Sequence, residues 1–270
     1  MAALPAQHTK HLNSLHYPFH DNDFLLAQRD DGVSNGTALW LGGQLMAAFL
    51  SQTLATRRTP RLRAIELGAG IGLTSLVLSS IGVDVLATDT HHVISSVLRY
   101  NVHQNAPSES ASSGSIQVRE LDWTVPPDKW SWDNTSVVAS SNSNEQVPLP
   151  SDETDLLGPP FDLILSSDTL YSPKLVTPLL RTLHALSLAS SQQQRSTRFP
   201  PVYICLERRD PALIDAALAE ARSDWGFVVE RVSQRKVCKA MGKTGLEWAR
   251  EEWEGIEIWK MVLQKGQGKV

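Results

Sequence analysis

RLRAIELGAGIGLTSLVLSSIGVDVLATD, residues 61–89, decides the architecture. The apolar run RAIEL leads directly into Gly68, Gly70 and Gly72. Next comes GLTSLVLSSIG at helical spacing, closed by Gly82, and then VDVLATD, a second apolar run ending on an acid. This order predicts a strand, a tight turn, a helix and a second strand, the unit from which parallel α/β sheets are wound.

The same rhythm continues on both sides. TALWLGGQLMAAFLSQTLA places Leu41, Leu45, Ala48, Phe49 and Leu54 at helical spacing, with Trp40 near the start. Downstream, HVISSVLRYNVHQN reads as a helix, IQVREL and FDLILSS as strands, and PKLVTPLLRTLHALSLAS as a helix. PVYICLE is then a strand, DPALIDAALAEARS a helix, and GFVVERV and GIEIWKMVL two final strands. Strands mostly separated by helices predict a Rossmann-like α/β fold: seven strands in a mainly parallel sheet, helices on both faces. The last two strands show no helix pattern between them, which predicts a hairpin-like antiparallel edge strand. Residues 1–35 read as an N-terminal arm and 36–270 as one domain. The Ser-, Asn-, Gln- and Pro-rich stretches at 106–115, 131–160 and 190–198 read as polar surface insertions, the second of them alternatively as an ordered lid.

Composition narrows the classes. The chain has 270 residues and 41% apolar content, enough for a proper core. Its net charge of -4 and the scatter of its 25 basic residues argue against a nucleic-acid grip. The first twenty residues carry no targeting pattern, and no apolar run is long enough for a membrane span, so a cytoplasmic protein, with the nucleus also open, is expected. Cys205 and Cys238 are too few for a disulfide framework or a thiolate zinc site, and no metal is assigned.

The glycine turn admits several adenosine-containing ligands, and two features choose among them. Asp89 ends the second strand at the distance where a carboxylate reaches ribose hydroxyls. A dinucleotide turn wants G-x-G-x-x-G, but here the third glycine arrives one position early and Leu73 takes its place. Glu66, two residues before the turn, would repel a pyrophosphate and suit the cationic methionyl end of S-adenosylmethionine. The bland reading is a tight turn beside an incidental acid.

ELGAGIG resembles the first motif, E/D-x-G-x-G-x-G, of the class I seven-strand S-adenosylmethionine-dependent methyltransferases. A narrower resemblance is to the family-16 protein-lysine methyltransferases. ALWLGGQLMAAFL is similar to that family's Trp-bearing helix, LDW (121–123) to the Asp-Trp after the third strand, and SSDTLY (166–171) to the D-x-x-Y signature after the fourth. The resemblance implies cofactor contacts from Trp40, Gly68, Ala69, Gly70, Asp89, Trp123 and Ser167. From the residues themselves, Trp123 can cover an adenine while Asp122 accepts from its amino group; both tryptophans also read as plain core. The resemblance also implies a lysine-bearing protein substrate such as a translation factor, ribosomal protein or chaperone. Asp168 would then aim the lysine and Tyr171 would line its channel. The alternative for SDTLY is a strand-end acid capping the next helix, with a tyrosine packed in a loop. Glu207, Arg208 and Arg209 in CLERRDPA resemble the corresponding end in the branch related to a nuclear, DNA-repair-associated protein methylator, and read alternatively as a solvated loop. A monomer is expected. Two rival functions stay open: a methyltransferase for a small amine or other metabolite, and a non-catalytic module that keeps the fold.

Overall fold

The computed structural model describes residues 3–29, 32, 34–54, 61–105, 113–142, 155–193 and 198–264. Its centre is an eight-stranded sheet. The strands are β3 (Arg63–Leu67), β4 (Asp84–Asp89), β5 (Ile116–Leu121), β6 (Val137–Ala139), β7 (Leu163–Ser167), β8 (Val202–Glu207), β9 (Phe227–Arg231) and β10 (Ile256–Leu263), in the order β6-β5-β4-β3-β7-β8-β10-β9. β3, β4 and β7 are buried at nearly every position, as expected of parallel strands covered on both faces. The fold is therefore the expected Rossmann-like α/β arrangement, with two differences in detail.

One difference is at the sheet's end. β10 runs antiparallel to both β8 and β9, so the reversed strand is the penultimate one and β9 forms the edge. A helix also separates the last two strands, where the sequence showed none. Only Val237, Ala240 and Met241 of this helix, Gln234–Lys243, face the core, too few apolar positions to stand out among its cations. The other difference is β6, which lies inside the stretch expected as a polar insertion. Buried Arg119 orders this region: its Nη1 donates to the Trp132 and Asn134 carbonyls at 3.1 and 3.3 Å, and Trp132 packs edge-on against Phe161. Residues 106–112, 143–154 and 194–197 of the three stretches lie outside the described residues.

One sheet face carries α1 (Leu41–Leu54), α2 (Leu73–Ser80) and the Gln234–Lys243 helix. The other carries the long helices Pro173–Gln193 and Pro211–Ser223. Part of the expected N-terminal arm is built into the first layer. β1 (Ser14–Phe19) and β2 (Asn22–Ala27) form a hairpin that buries Leu15, Tyr17, Phe19, Phe24 and Leu26 in the same apolar cluster as α1. Two asparagines bind it there. Asn101 exchanges hydrogen bonds with both backbone groups of Ala27 and donates to the Ile71 carbonyl, and Asn105 does the same for Leu25. Strand β2 is thus paired by side chains that imitate a neighbouring strand, and farther along Gly36 lies against Gly70 of the glycine turn. Among the described residues, no helix is long and apolar enough to cross a membrane.

Candidate active site

A cleft enclosing about 940 Å³, open mouth included, lies at the carboxyl ends of β3, β4, β5 and β7, where open α/β sheets hold their ligands. Every residue expected from the sequence to touch the cofactor or the lysine lines it except Glu66. The turn after β3 needs its glycines. Gly68 has φ 67°, and a Cβ there would meet Thr169 at 2.8 Å and the Trp123 ring at 3.2 Å, so the backbone passes where no side chain fits. Gly72, at φ 90°, caps α2 and allows Leu98 to pack close.

Asp89 ends β4 against this turn. One carboxylate oxygen accepts from Gly70 N–H at 2.9 Å and the other from Thr90 N–H at 2.8 Å. The group is therefore aimed, and each oxygen keeps capacity for a further donor. Burial nevertheless pushes its pKa above the ordinary carboxylate range. Trp123 lies against Gly68. Its carbonyl accepts from Arg181, and its indole Nε1 is buried with no partner among the described residues. Asp122 makes a local turn, accepting from Thr124 N–H at 2.8 Å and from its hydroxyl at 2.7 Å. Burial pushes this group up, but hydrogen bonds from Ser141 and Thr124 outweigh it and hold the pKa low.

Glu66 departs from the expectation that it faces the ligand. It is fully buried beneath the turn and accepts from the Ser75 hydroxyl, with Thr74 and the Ser75 backbone close by. Burial raises its pKa to about 7 against those hydrogen bonds. Its side chain leaves β3 on the α2 face, so it braces the helix start, and any influence on a ligand passes through the turn.

The opposite wall is a tertiary construction. Asp168 follows β7 with φ 54°, unusual for a residue other than glycine, and is held there by its N–H on the Cys205 carbonyl at 2.9 Å. Its carboxylate lies against the N-terminus of α1 beside the Gly42 and Gly43 backbone, and its Oδ2 is buried with no hydrogen-bond partner among the described residues. A Cβ on Gly42 would lie only 2.4–2.6 Å from that carboxyl group, which explains a glycine at this position inside a helix. Asp168 therefore lies against the start of a helix distant in sequence, whereas the alternative reading had it capping the next one. Burial lifts its pKa to about 6, although Gly42 and the Arg209 charge oppose the rise.

Asp168, Asn35, Trp40 and Tyr171 also line a second cavity, which continues past Leu206, Glu207, Arg209 and Asp210. Arg209 and Lys10 both lie over the Trp40 ring, at 4.8 and 3.8 Å from its centroid, and the Trp40 indole donates to the Asn35 carbonyl at 2.5 Å. Arg209 also binds Glu207. Glu207 and Arg209 thus stand in the wall beside Asp168, with the Arg209 side chain still 56% exposed, while Arg208 lines neither cavity and pairs with Asp215 and Glu257. Tyr171 stands at the rim of both spaces, 55% exposed. Burial first, and the Asp89 charge second, raise its phenol pKa.

The sequence reading missed Asn35, Gly36, Leu39, Thr90 and Thr169 in the cleft. Three of them precede α1 and reach the site only because the hairpin is docked; nothing local to them signals a ligand.

Residues 19–142 match the family model described as lysine methyltransferase. A protein-lysine methyltransferase, METTL21E of Bos taurus, is 29% identical over 56% of this chain and 43% of its own length. The protein N-lysine methyltransferase METTL21A of Danio rerio is 26% identical over 68% of this chain and 70% of that protein. The chain spans about half the length of the METTL21E relatives it matches. Among solved structures, a magnesium protoporphyrin IX methyltransferase from Synechocystis with bound SAH aligns at 13% identity and a TM-score of 0.44, over 82% of this chain and 83% of that one. Over residues 19–142 the chain is thus similar to the lysine methyltransferase family, the family to which the names of these relatives also point.

Proposed function

We propose that this protein transfers a methyl group from S-adenosylmethionine to the side-chain amine of a lysine in a protein substrate. The observation that carries this reading is Asp168: a carboxylate fixed at a helix N-terminus, in the wall shared by the cleft and the second cavity.

The cleft suits the cofactor. Its glycine turn leaves no room for a side chain, Asp89 is braced with spare acceptor capacity, and the Trp123 indole N–H is buried without a partner. Asp89 would hold the ribose hydroxyls, Trp123 and Asp122 the adenine, and Gly68, Ala69, Gly70, Ser167 and Trp40 the remainder. Glu66 would stabilise the turn from below. The bound cofactor supplies a methyl group on a positively charged sulfur, open to in-line displacement by an amine.

The lysine would enter through the second cavity. Presenting it as a free amine near pH 7 costs about 4–5 kcal/mol from its reference pKa. Asp168, at about 6, is too weak a base to remove that proton efficiently. Its work is to capture the ammonium and aim the nitrogen, while the partly dry walls favour the neutral amine. Tyr171 offers a ring to the aliphatic stem and a hydroxyl to the nitrogen. The METTL21E and METTL21A relatives, named as protein-lysine methyltransferases, favour the same substrate class.

The test is to incubate the purified protein and radiolabelled S-adenosylmethionine with a lysate from cells grown under methylation-blocking conditions. A labelled polypeptide yielding methyllysine on hydrolysis, and lost with Asp168→Ala, is expected. Label confined to small molecules would establish the metabolite reading instead.

A further inference from the structure

On the α1 face, away from the cleft, lies an open groove of about 1190 Å³, mouth included. Its cations come from three elements: Lys236, Lys239 and Lys243 from the Gln234–Lys243 helix, Lys260 from β10 and Arg231 from the end of β9. The three helix lysines are spaced i, i+3, i+7 and share one face, while Val237, Ala240 and Met241 anchor the adjoining face in the core, Ala240 also lining the groove. Glu230 is the single carboxylate among the lining residues. Arg231 pairs with Glu257 at 3.2 Å. Among the described residues, no carboxylate lies within ion-pair distance of Lys236, Lys239, Lys243 or Lys260. The groove also has an apolar side, where Phe49 of α1 meets Tyr203 of β8 edge to face at 5.7 Å.

Like charges gathered in one concavity repel one another and concentrate anions there. Their clustering is notable in a chain whose net charge is -4. From this charge and shape we infer that the groove docks an acidic segment of the polypeptide substrate, an inference that rests on the reading of a protein substrate given above. The apolar side suits a peptide carrying one or two apolar residues among its acids. The cations occupy a pocket bounded by one helix, the end of β9 and the middle of β10, with no track along which a phosphate backbone would run.

Helix α1 links the two places. Its Gly42 end holds Asp168, and its Phe49, Gln52 and Thr53 end lines the groove. At about 1.5 Å per residue, the separation along the helix is roughly 10–16 Å. An extended peptide covers that distance in about three to five residues. The acidic segment is therefore expected no closer than about three residues from the methylated lysine.

Binding of a fluorescent twelve-residue peptide rich in Glu, with two Phe, to the full chain measures this directly by anisotropy. The same peptide with Gln for every Glu, and a twelve-nucleotide oligo-dT, are the comparison probes. The Glu peptide is expected to bind at least tenfold more tightly than the Gln peptide. Its affinity is expected to fall at least tenfold on Lys236→Glu/Lys239→Glu/Lys243→Glu, and by about threefold on the corresponding Gln triple. Both triples should keep the thermal midpoint and S-adenosylhomocysteine affinity of the parent. Equal affinity for the two peptides, indifference to charge reversal in a folded variant, or tighter binding of oligo-dT would overturn the inference. Because the readout is binding, such a failure leaves the lysine reading standing. A failure of methyl transfer in the lysate assay would in turn leave the peptide data intact.

Discussion

The two walls of the cleft are built in opposite ways. The wall of β3, the glycine turn and Asp89 comes from one continuous stretch, and its defining hydrogen bond, Gly70 N–H to Asp89, spans 19 residues. The wall around Asp168 is assembled from the start of α1, the end of β7 and the residues after β8, with Gly42, Asp168 and Arg209 far apart in the chain. Backbone geometry shapes the first; packing between distant elements shapes the second. Under the proposed function this contrast becomes a division of labour, with most cofactor contacts on the first wall and the aim of the lysine on the second.

Substitutions can break that division. The largest expected effect is from Asp168→Ala: methyl transfer should fall by about 100-fold or more while S-adenosylhomocysteine affinity, read by calorimetry, stays within about threefold. A parallel loss of affinity would merge the two walls into one. Asp89→Ala should act in reverse. Removing a charged acceptor of two hydrogen bonds is worth roughly 1.5–3 kcal/mol, or about a 10- to 100-fold weakening of S-adenosylhomocysteine binding. Gly42→Ala sharpens the comparison, because it changes no chemical group and only pushes on the Asp168 carboxyl. Transfer should drop by about tenfold with cofactor affinity preserved, since a misaimed group loses rate before binding; unchanged turnover would show that the seat has slack.

The smallest effect concerns Glu66 and pH. Its folded pKa of about 7 lies above its ordinary value of 4.5, so between those values the native state keeps a proton that the unfolded chain releases. Stability therefore declines as pH rises through that window and levels off above it. Glu66→Gln removes the titration and keeps an acceptor for Ser75. Its thermal midpoint should gain on the parent's by about 2–5 °C between pH 5 and pH 8. A constant gap would mean that Glu66 does not titrate there.

The first wall was readable because its signals are local: an apolar run, three glycines and an acid at fixed spacing. Asp168 and Tyr171 were readable as a motif, but the helix start against which Asp168 lies was not, since no pattern near residue 168 points to Gly42. Glu66 shows the opposite failure. Residue type and position were plain, yet which face of β3 the carboxylate takes is set by the packing of α2. The β1–β2 hairpin carries a period-two pattern, buried at Leu15, Tyr17 and Phe19, in a segment that reads as an arm until Asn101 and Asn105 supply its partners.

From residue order alone came the α/β class, the glycine turn and the acid at the end of β4, because strand burial, helical spacing and positive-φ turns are properties of a few adjacent residues. Tertiary structure decided which acid looks into the cleft, how the N-terminal hairpin walls it and that five cations share one groove. These depend on side-chain direction and on contacts between elements separated by tens to hundreds of residues, where each choice is settled by the packing of its neighbours.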